Sequence, residues 1–190
     1  MYVQDEKRIG DYLIQICPDE DPESPRDWDN FGTMVCSHKR YNYGDKHSFN
    51  FDDYNSWEEM EKDIMDNHDG HTILPIYMYE HSGVTISTKP FMDYFDSGRL
   101  GLIYCTKQAV AKEGIADEDA AKALESEVKT YDTYIRGDVY GYRISKVTTC
   151  SEGNEHEEQL DSCWGYYDEE SCMSDAEGLV EYYQSKKEVV

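Results

Sequence analysis

Ile73-Leu74-Pro75-Ile76-Tyr77-Met78-Tyr79, then Glu80-His81-Ser82-Gly83, then Val84-Thr85-Ile86-Ser87-Thr88 is the passage on which the fold turns. Two short runs rich in β-branched and aromatic residues flank a polar segment that ends in glycine. That is the pattern of a β-hairpin. Residues 101–106 continue as a buried strand. Just upstream, Ser56-Trp57-Glu58-Glu59 forms a capping box, with Ser at the N-cap and Glu three residues on. Trp57, Met60 and Ile64 then recur at helical spacing, so a helix is expected to run to about Asn67.

Downstream, the spacing predicts a longer helix from an N-cap at Asp117 to Arg136. Ala121, Leu124, Val128, Tyr131 and Ile135 recur at steps of three and four. Glu118–Lys122 and Glu125–Lys129 add favourable i,i+4 pairs, and Gly137 ends the helix. Further out, residues 12–17, 32–36, 139–144 and 162–167 read as strands, the first stopping at Pro18. Residues 152–158 read as a polar connection. Ser174-Asp175-Ala176-Glu177 is a second capping box, expected to start a terminal helix with Leu179, Val180 and Tyr183 on one face.

Strands joined by turns or short polar loops, with helices between groups of strands, point to an α+β fold. The expectation is a mainly antiparallel sheet with about three helices packed on it. A single domain spans residues 1–190, its acidic C-terminal hairpin and helix beginning at about residue 147.

Charge is the loudest global feature. Forty-one Asp and Glu face eighteen Lys and Arg, a net of −23. A small soluble domain needs a net charge of only about 2–8 for solubility, and a larger surplus destabilises the compact state by self-repulsion. Aromatic residues make up 13% of the chain, which separates it from disordered acidic chains, poor in aromatics. Between Lys146 and Lys186 no Lys or Arg occurs, while eleven carboxylates do. A second block, residues 52–69, holds eight carboxylates against Lys62 alone.

The six cysteines, at 17, 36, 105, 150, 163 and 172, include no C-x-x-C pair. The N-terminal residues lack an apolar h-region, and no apolar run reaches spanning length. Free thiols in a reducing cytoplasm are the expectation.

Catalytic motifs are sparse. No P-loop, dinucleotide Gly fingerprint, Gly-x-Ser-x-Gly elbow or EF-hand register is present. His68 and His71, with Asp66 or Asp69, offer ligand chemistry for a metal, but at a spacing that matches no zincin motif. Cys36 and His38 point the same way along a strand without being aimed at one another. Asp93 and Asp96 lie in an aromatic-rich loop beside Arg99. Two segments mix Arg with Asp and aromatics, residues 25–32 and residues 131–138, and suit an internal ion pair or a pocket wall. No cofactor is called for.

Several stretches together resemble a group of uncharacterised proteins from bacteriophages and mobile elements. They are residues 24–36, 38–45, 73–88, 95–104, 127–141 and 161–167, so the resemblance covers most of residues 10–168. The group has no assigned reaction, and no catalytic residue follows from it. What the resemblance implies is a viral or mobile-element context. Small acidic proteins from such sources often block host defence, as anti-CRISPR and anti-restriction proteins do, some by imitating DNA.

Two readings follow. In the first, the chain is a non-enzymatic inhibitor of a basic, nucleic-acid-handling host protein in the host cytoplasm. It would act through Glu152, Glu155, Glu157, Glu158, Asp161, Asp168, Glu169 and Glu170, together with Asp52, Asp53, Glu58 and Glu59. Nucleic acid itself would be repelled, and no membrane partner is expected; a homo-oligomer is compatible with this reading. In the second, Arg26, Asp29, His81, Asp96, Arg99 and Trp164 converge on one pocket for a small ligand or substrate.

Overall fold

The computed structural model describes residues 2–93 and 95–187. Tyr94, in the aromatic-rich loop, lies outside the described residues. In chain order the strands are β1 (Asp5–Ile9), β2 (Tyr12–Pro18), β3 (Thr33–Cys36), β4 (Gly70–Glu80), β5 (Val84–Ser87), β6 (Ser97–Thr106), β7 (Tyr140–Thr149) and β8 (Glu155–Tyr166). The helices are α1 (Trp57–Asn67), α2 (Lys107–Glu113), α3 (Ala120–Arg136) and α4 (Glu169–Lys187). The fold is α+β and every strand pairing is antiparallel.

The chain gathers into two compact units. One joins Met1–Glu23 to Gly137–Val190; the other is Ser24–Arg136. Each has its own four-stranded sheet, where the sequence suggests one.

The second unit is built on the hairpin. β4 and β5 pair from Tyr77↔Ser87 to Glu80↔Val84, and β6 lies along the other side of β4, giving the order β3-β6-β4-β5. Pro75 is tolerated in β4 because β5 pairs only with Tyr77 to Glu80, so the missing N–H has no strand to serve. One face of the sheet packs Met34, Ile76, Met78, Ile86 and Ile103 against Leu124, Val128 and Tyr131 of α3 and Val110 of α2. The other packs Val35, Leu102 and Tyr104 against Met60 and Ile64 of α1. Helices therefore cover both faces.

Local chemistry sets the helix ends here. Ser56 accepts from the Glu59 N–H and starts α1 as expected. The Glu59 carboxylate takes the Asn55 N–H instead of closing the box on Ser56. Asp117–Asp119 forms a single 3-10 turn ahead of α3, so the α-helix begins three residues later than its predicted cap. α2 has no counterpart in the sequence reading: Thr106 caps it, Gly114 ends it, and Val110 is its only buried residue, too few for a periodic signal.

The first unit pairs strands from the two ends of the chain in the order β1-β2-β7-β8. Tyr12, Ile14 and Ile16 of β2 and Tyr142 and Ile144 of β7 bury against Cys172, Ala176 and Val180 of α4. Gly141 permits the neighbouring strand to approach, since a Cβ there would sit 2.2 Å from the Trp164 ring.

Two expectations are corrected in this unit. Residues 155–158 belong to β8 and not to a polar loop, and α4 starts at Glu169, so Ser174 is not its cap. Asp168 fills that role, accepting the Ser171 N–H at 2.8 Å. β1 was not anticipated either. Four of its five residues are exposed, so hydrophobic alternation could not announce it.

Candidate functional site

β8 is an edge strand, and its first six residues, Glu155 to Leu160, are all exposed. Across that segment the ladder with β7 runs Thr149↔Glu155, Thr148↔His156, Val147↔Glu157 and Lys146↔Glu158. Of the eleven carboxylates from Glu152 to Glu181, only two meet a cation among the described residues. These are Glu155 with Arg8 and Glu177 with Lys7, each at 2.8 Å. Asp161 accepts from Tyr183 and Asp175 from Tyr166. Asp168 is held below the ordinary carboxylate range by Ser171. Among the described residues Glu152, Glu157, Glu158, Glu169, Glu170 and Glu181 form no ion pair, although Lys146 lies opposite Glu158 in the ladder. A groove of about 470 Å³ is lined by Asp5, Glu169, Glu170, Met173, Ser174 and Glu177, four carboxylates around one thioether.

The block at residues 52–69 is used differently. Glu61 holds Arg99 at 2.6 Å, Asp66 holds Lys62, and Asp63 takes the Tyr54 hydroxyl and the Asn67 amide. Those hydrogen bonds hold Asp63 below its usual range, and the Tyr54 phenol is pushed up to about 12, first by Asp63. Glu58 and Glu59 sit in the first turn of α1, both lowered by hydrogen bonds, Glu58 by its own backbone N–H and Ser56, Glu59 by Asn55. Asp52 and Asp53 are exposed, on a single 3-10 turn. Most of this block is spent on its own helix.

Of the six residues proposed for one pocket, the five in the second unit do not all gather at one place. Arg26 is 4% exposed and closes a buried network. It donates to both oxygens of Asp45, to Glu127 and to the Gly32 carbonyl. Glu127 in turn accepts from the Phe31 and Gly32 N–H groups, and Asp45 from Met34. Burial alone would lower the Arg26 pKa, but the two carboxylates raise it. Every lobe is satisfied, so the segment carries structure. Asp29 is 91% exposed and faces Lys112. Trp164 belongs to the first unit, on β8.

His81, Asp96 and Arg99 do lie near one another. His81 meets Asp96 at 2.9 Å at the mouth of the hairpin. Asp96 and Arg99 line a groove of about 310 Å³ with His38 and Glu80. Ser37, His38 and Arg99 also line a neighbouring cavity of about 500 Å³, walled by Phe51, Tyr54 and Trp57. In sequence Trp57 reads as one apolar position of the helix, and its spacing gives no sign that one side stays open.

His38 is oriented by the backbone. Its Nδ1 accepts from the Arg40 and Tyr41 N–H groups, which leaves the proton on Nε2, 3.6 Å from Glu80. It is not aimed at Cys36, whose thiol burial pushes up to about 12. His68 and His71 also part company: the first meets Asp63, the second Asp117. Among the described residues no group of three or more His, Cys, Asp or Glu is placed to hold a metal, and no helix is long and apolar enough to cross a membrane. Comparison with protein-family models, curated proteins and solved structures finds no match to this chain, so its functional reading rests on its own residues.

Proposed function

We propose that the chain is an acidic decoy that binds a basic, nucleic-acid-handling protein of a host defence system, in the manner of anti-CRISPR or anti-restriction proteins. The observation that carries this reading is the exposed edge of β8, whose carboxylates mostly lack intramolecular cations. A strand rises about 3.4 Å per residue, the same rise as one nucleotide along a DNA strand. Glu155, Glu157, Glu158 and Asp161 therefore fall along roughly 20 Å of rigid backbone. Of these, Glu157 and Glu158 form no ion pair among the described residues, while Glu155 is shared with Arg8 and Asp161 with the Tyr183 hydroxyl. α4 adds Glu169, Glu170 and Glu181 from the same unit. A partner evolved to hold phosphates has cations at comparable spacing, and long-range attraction speeds the encounter.

The acidic groove beside Met173 suits one Lys or Arg of that partner, its methylene stem over the thioether and its head among the carboxylates. The phage or mobile-element setting and the cytoplasmic location belong to this proposal too.

The test is a titration of the labelled chain against purified restriction and CRISPR effectors, at low and high salt, with duplex DNA as competitor. Binding should weaken steeply with salt and be displaced by DNA. It should also fall when Glu157, Glu158, Glu169 and Glu170 become Gln together. A complex that tolerates bound DNA, or ignores those substitutions, sinks the reading.

A further inference from the structure

The second unit contains a local reversal of charge. The cavity of about 500 Å³ between residues 37–39 and the segment from Phe51 to Met60 has no Asp or Glu in its lining among the described residues. Its charged groups are Lys39 and Arg99. In a chain with forty-one carboxylates and a net of −23, a cavity walled by cations, neutral polar groups, aromatics and a methionine is the exception. The other cavities named above each contain Asp or Glu.

Arg99 is fixed in place without being used up. Its Nη2 donates to Glu61 at 2.6 Å and its Nε to the Gly101 carbonyl at 2.7 Å. The guanidinium lies over Trp57, 5.1 Å from the ring centre, with Tyr77 at 5.8 Å. Nη1 has no protein acceptor among the described residues. Glu61 offsets part of the charge but also locks the fork, so the remaining donor is preorganised. Lys39 is exposed and, among the described residues, forms no ion pair.

The apolar wall is equally specific. Phe51 and Trp57 meet edge to face, centroids 5.4 Å apart at 70°, and form a corner completed by Tyr54 and Met60. Such a corner accepts a flat ring, and the volume is that of a small-molecule site. We propose that this cavity binds a small aromatic anion. Its ring packs in the Phe51–Trp57 corner, and its carboxylate or phosphate is held by Arg99 Nη1 and Lys39 Nζ. The site is independent of the acidic edge of the first unit. Because the protein as a whole repels anions, saturable binding of one requires such a local site.

The experiment is calorimetric titration of the full chain with phenyl phosphate, with benzoate and with neutral benzyl alcohol. At least one anion should bind saturably, about tenfold or more tighter than the alcohol. The two anions distinguish a phosphate site from a carboxylate site. Lys39→Glu, at an exposed position, should cost the anion about tenfold and leave the alcohol unchanged. Arg99→Gln should cost at least as much, with circular dichroism reporting whether the fold survives. Equal binding of anion and alcohol overturns the proposal. So does an anion affinity that Lys39→Glu leaves intact, or no saturation by ~10 mM, weaker than the ordinary range of specific binding.

Discussion

The two units spend their acids in opposite ways. In the second, Asp45 and Glu127 close on a buried arginine, Glu61 locks Arg99, and Asp132 ties α3 to β5 by accepting from Thr85 Oγ1 and the Ile86 N–H, both at 2.7 Å. In the first, residues 152–181 carry eleven carboxylates and meet two cations. Both regions are dense in acid, yet in the second unit these carboxylates are bound into the fold. In residues 152–181 only Glu155, Asp161, Asp168, Asp175 and Glu177 take a cation, a tyrosine hydroxyl or a cap, and the other six form no ion pair among the described residues. Acidity by itself therefore says little about function; what matters is whether a carboxylate has an intramolecular partner.

The largest test of that contrast is Arg26→Met. It strands Asp45 and Glu127 in the second unit, and should cost about 3–5 kcal/mol in denaturant unfolding, as breaking a buried ion pair from one side does. Glu157→Gln in the first unit should leave the same measurement nearly unmoved. A cost for Arg26→Met no larger than that of Glu157→Gln would erase the distinction.

Acid should expose the contrast next. Asp63, Glu58, Glu59 and Asp168 have pKa values lowered in the fold. A lowered folded-state pKa contributes stability present above the unfolded value and lost as pH falls through the folded one. Stability should thus decline as the pH drops below the ordinary carboxylate range of about 4. Replacing Asp63 by Asn should flatten that decline, followed by circular dichroism against pH; an unchanged slope removes the assignment.

A smaller effect is expected from neutralising the idle set. Changing Glu157, Glu158, Glu170 and Glu181 to Gln together should hold or raise Tm at low salt, because repulsion is relieved, and the gain should shrink as salt is added. A fall in Tm would mean that these carboxylates have structural work after all.

The smallest prediction concerns thiols. At the β7–β8 turn, the N–H groups of Glu152 and Asn154 lower the Cys150 pKa. Iodoacetamide at neutral pH should label Cys150 well before the buried Cys17, Cys36, Cys105 and Cys172. Mass spectrometry of a time course reads the order, and buried thiols reacting first would contradict it.

What could be read from sequence followed the range of the forces involved. The hairpin at residues 73–88, the Ser56 cap and the long helix to Arg136 were legible because their signals are a few residues apart. β1 and the first half of β8 were not, because an exposed edge strand is held by its ladder and shows no burial pattern. The Ser174 box misled because Asp168, six residues earlier, starts the same helix with an equally good acceptor. At the sites, the density of acids was plain, but no local pattern told that Arg26 would be closed by Asp45 and Glu127 or that Asp29 would face Lys112.

The amino-acid order alone settled the net charge, the existence of the β4–β5 hairpin, and the faces of α1 and α3, since each is written within one or two turns of chain. Only the folded molecule decided that β2 pairs with β7, Tyr12 opposite Lys146, and that each unit has its own sheet. It also decided which acids are neutralised and which cavity has none. The β2–β7 pairing and the Arg26–Glu127 ion pair join residues more than a hundred positions apart, and no local pattern encodes which distant partner will arrive.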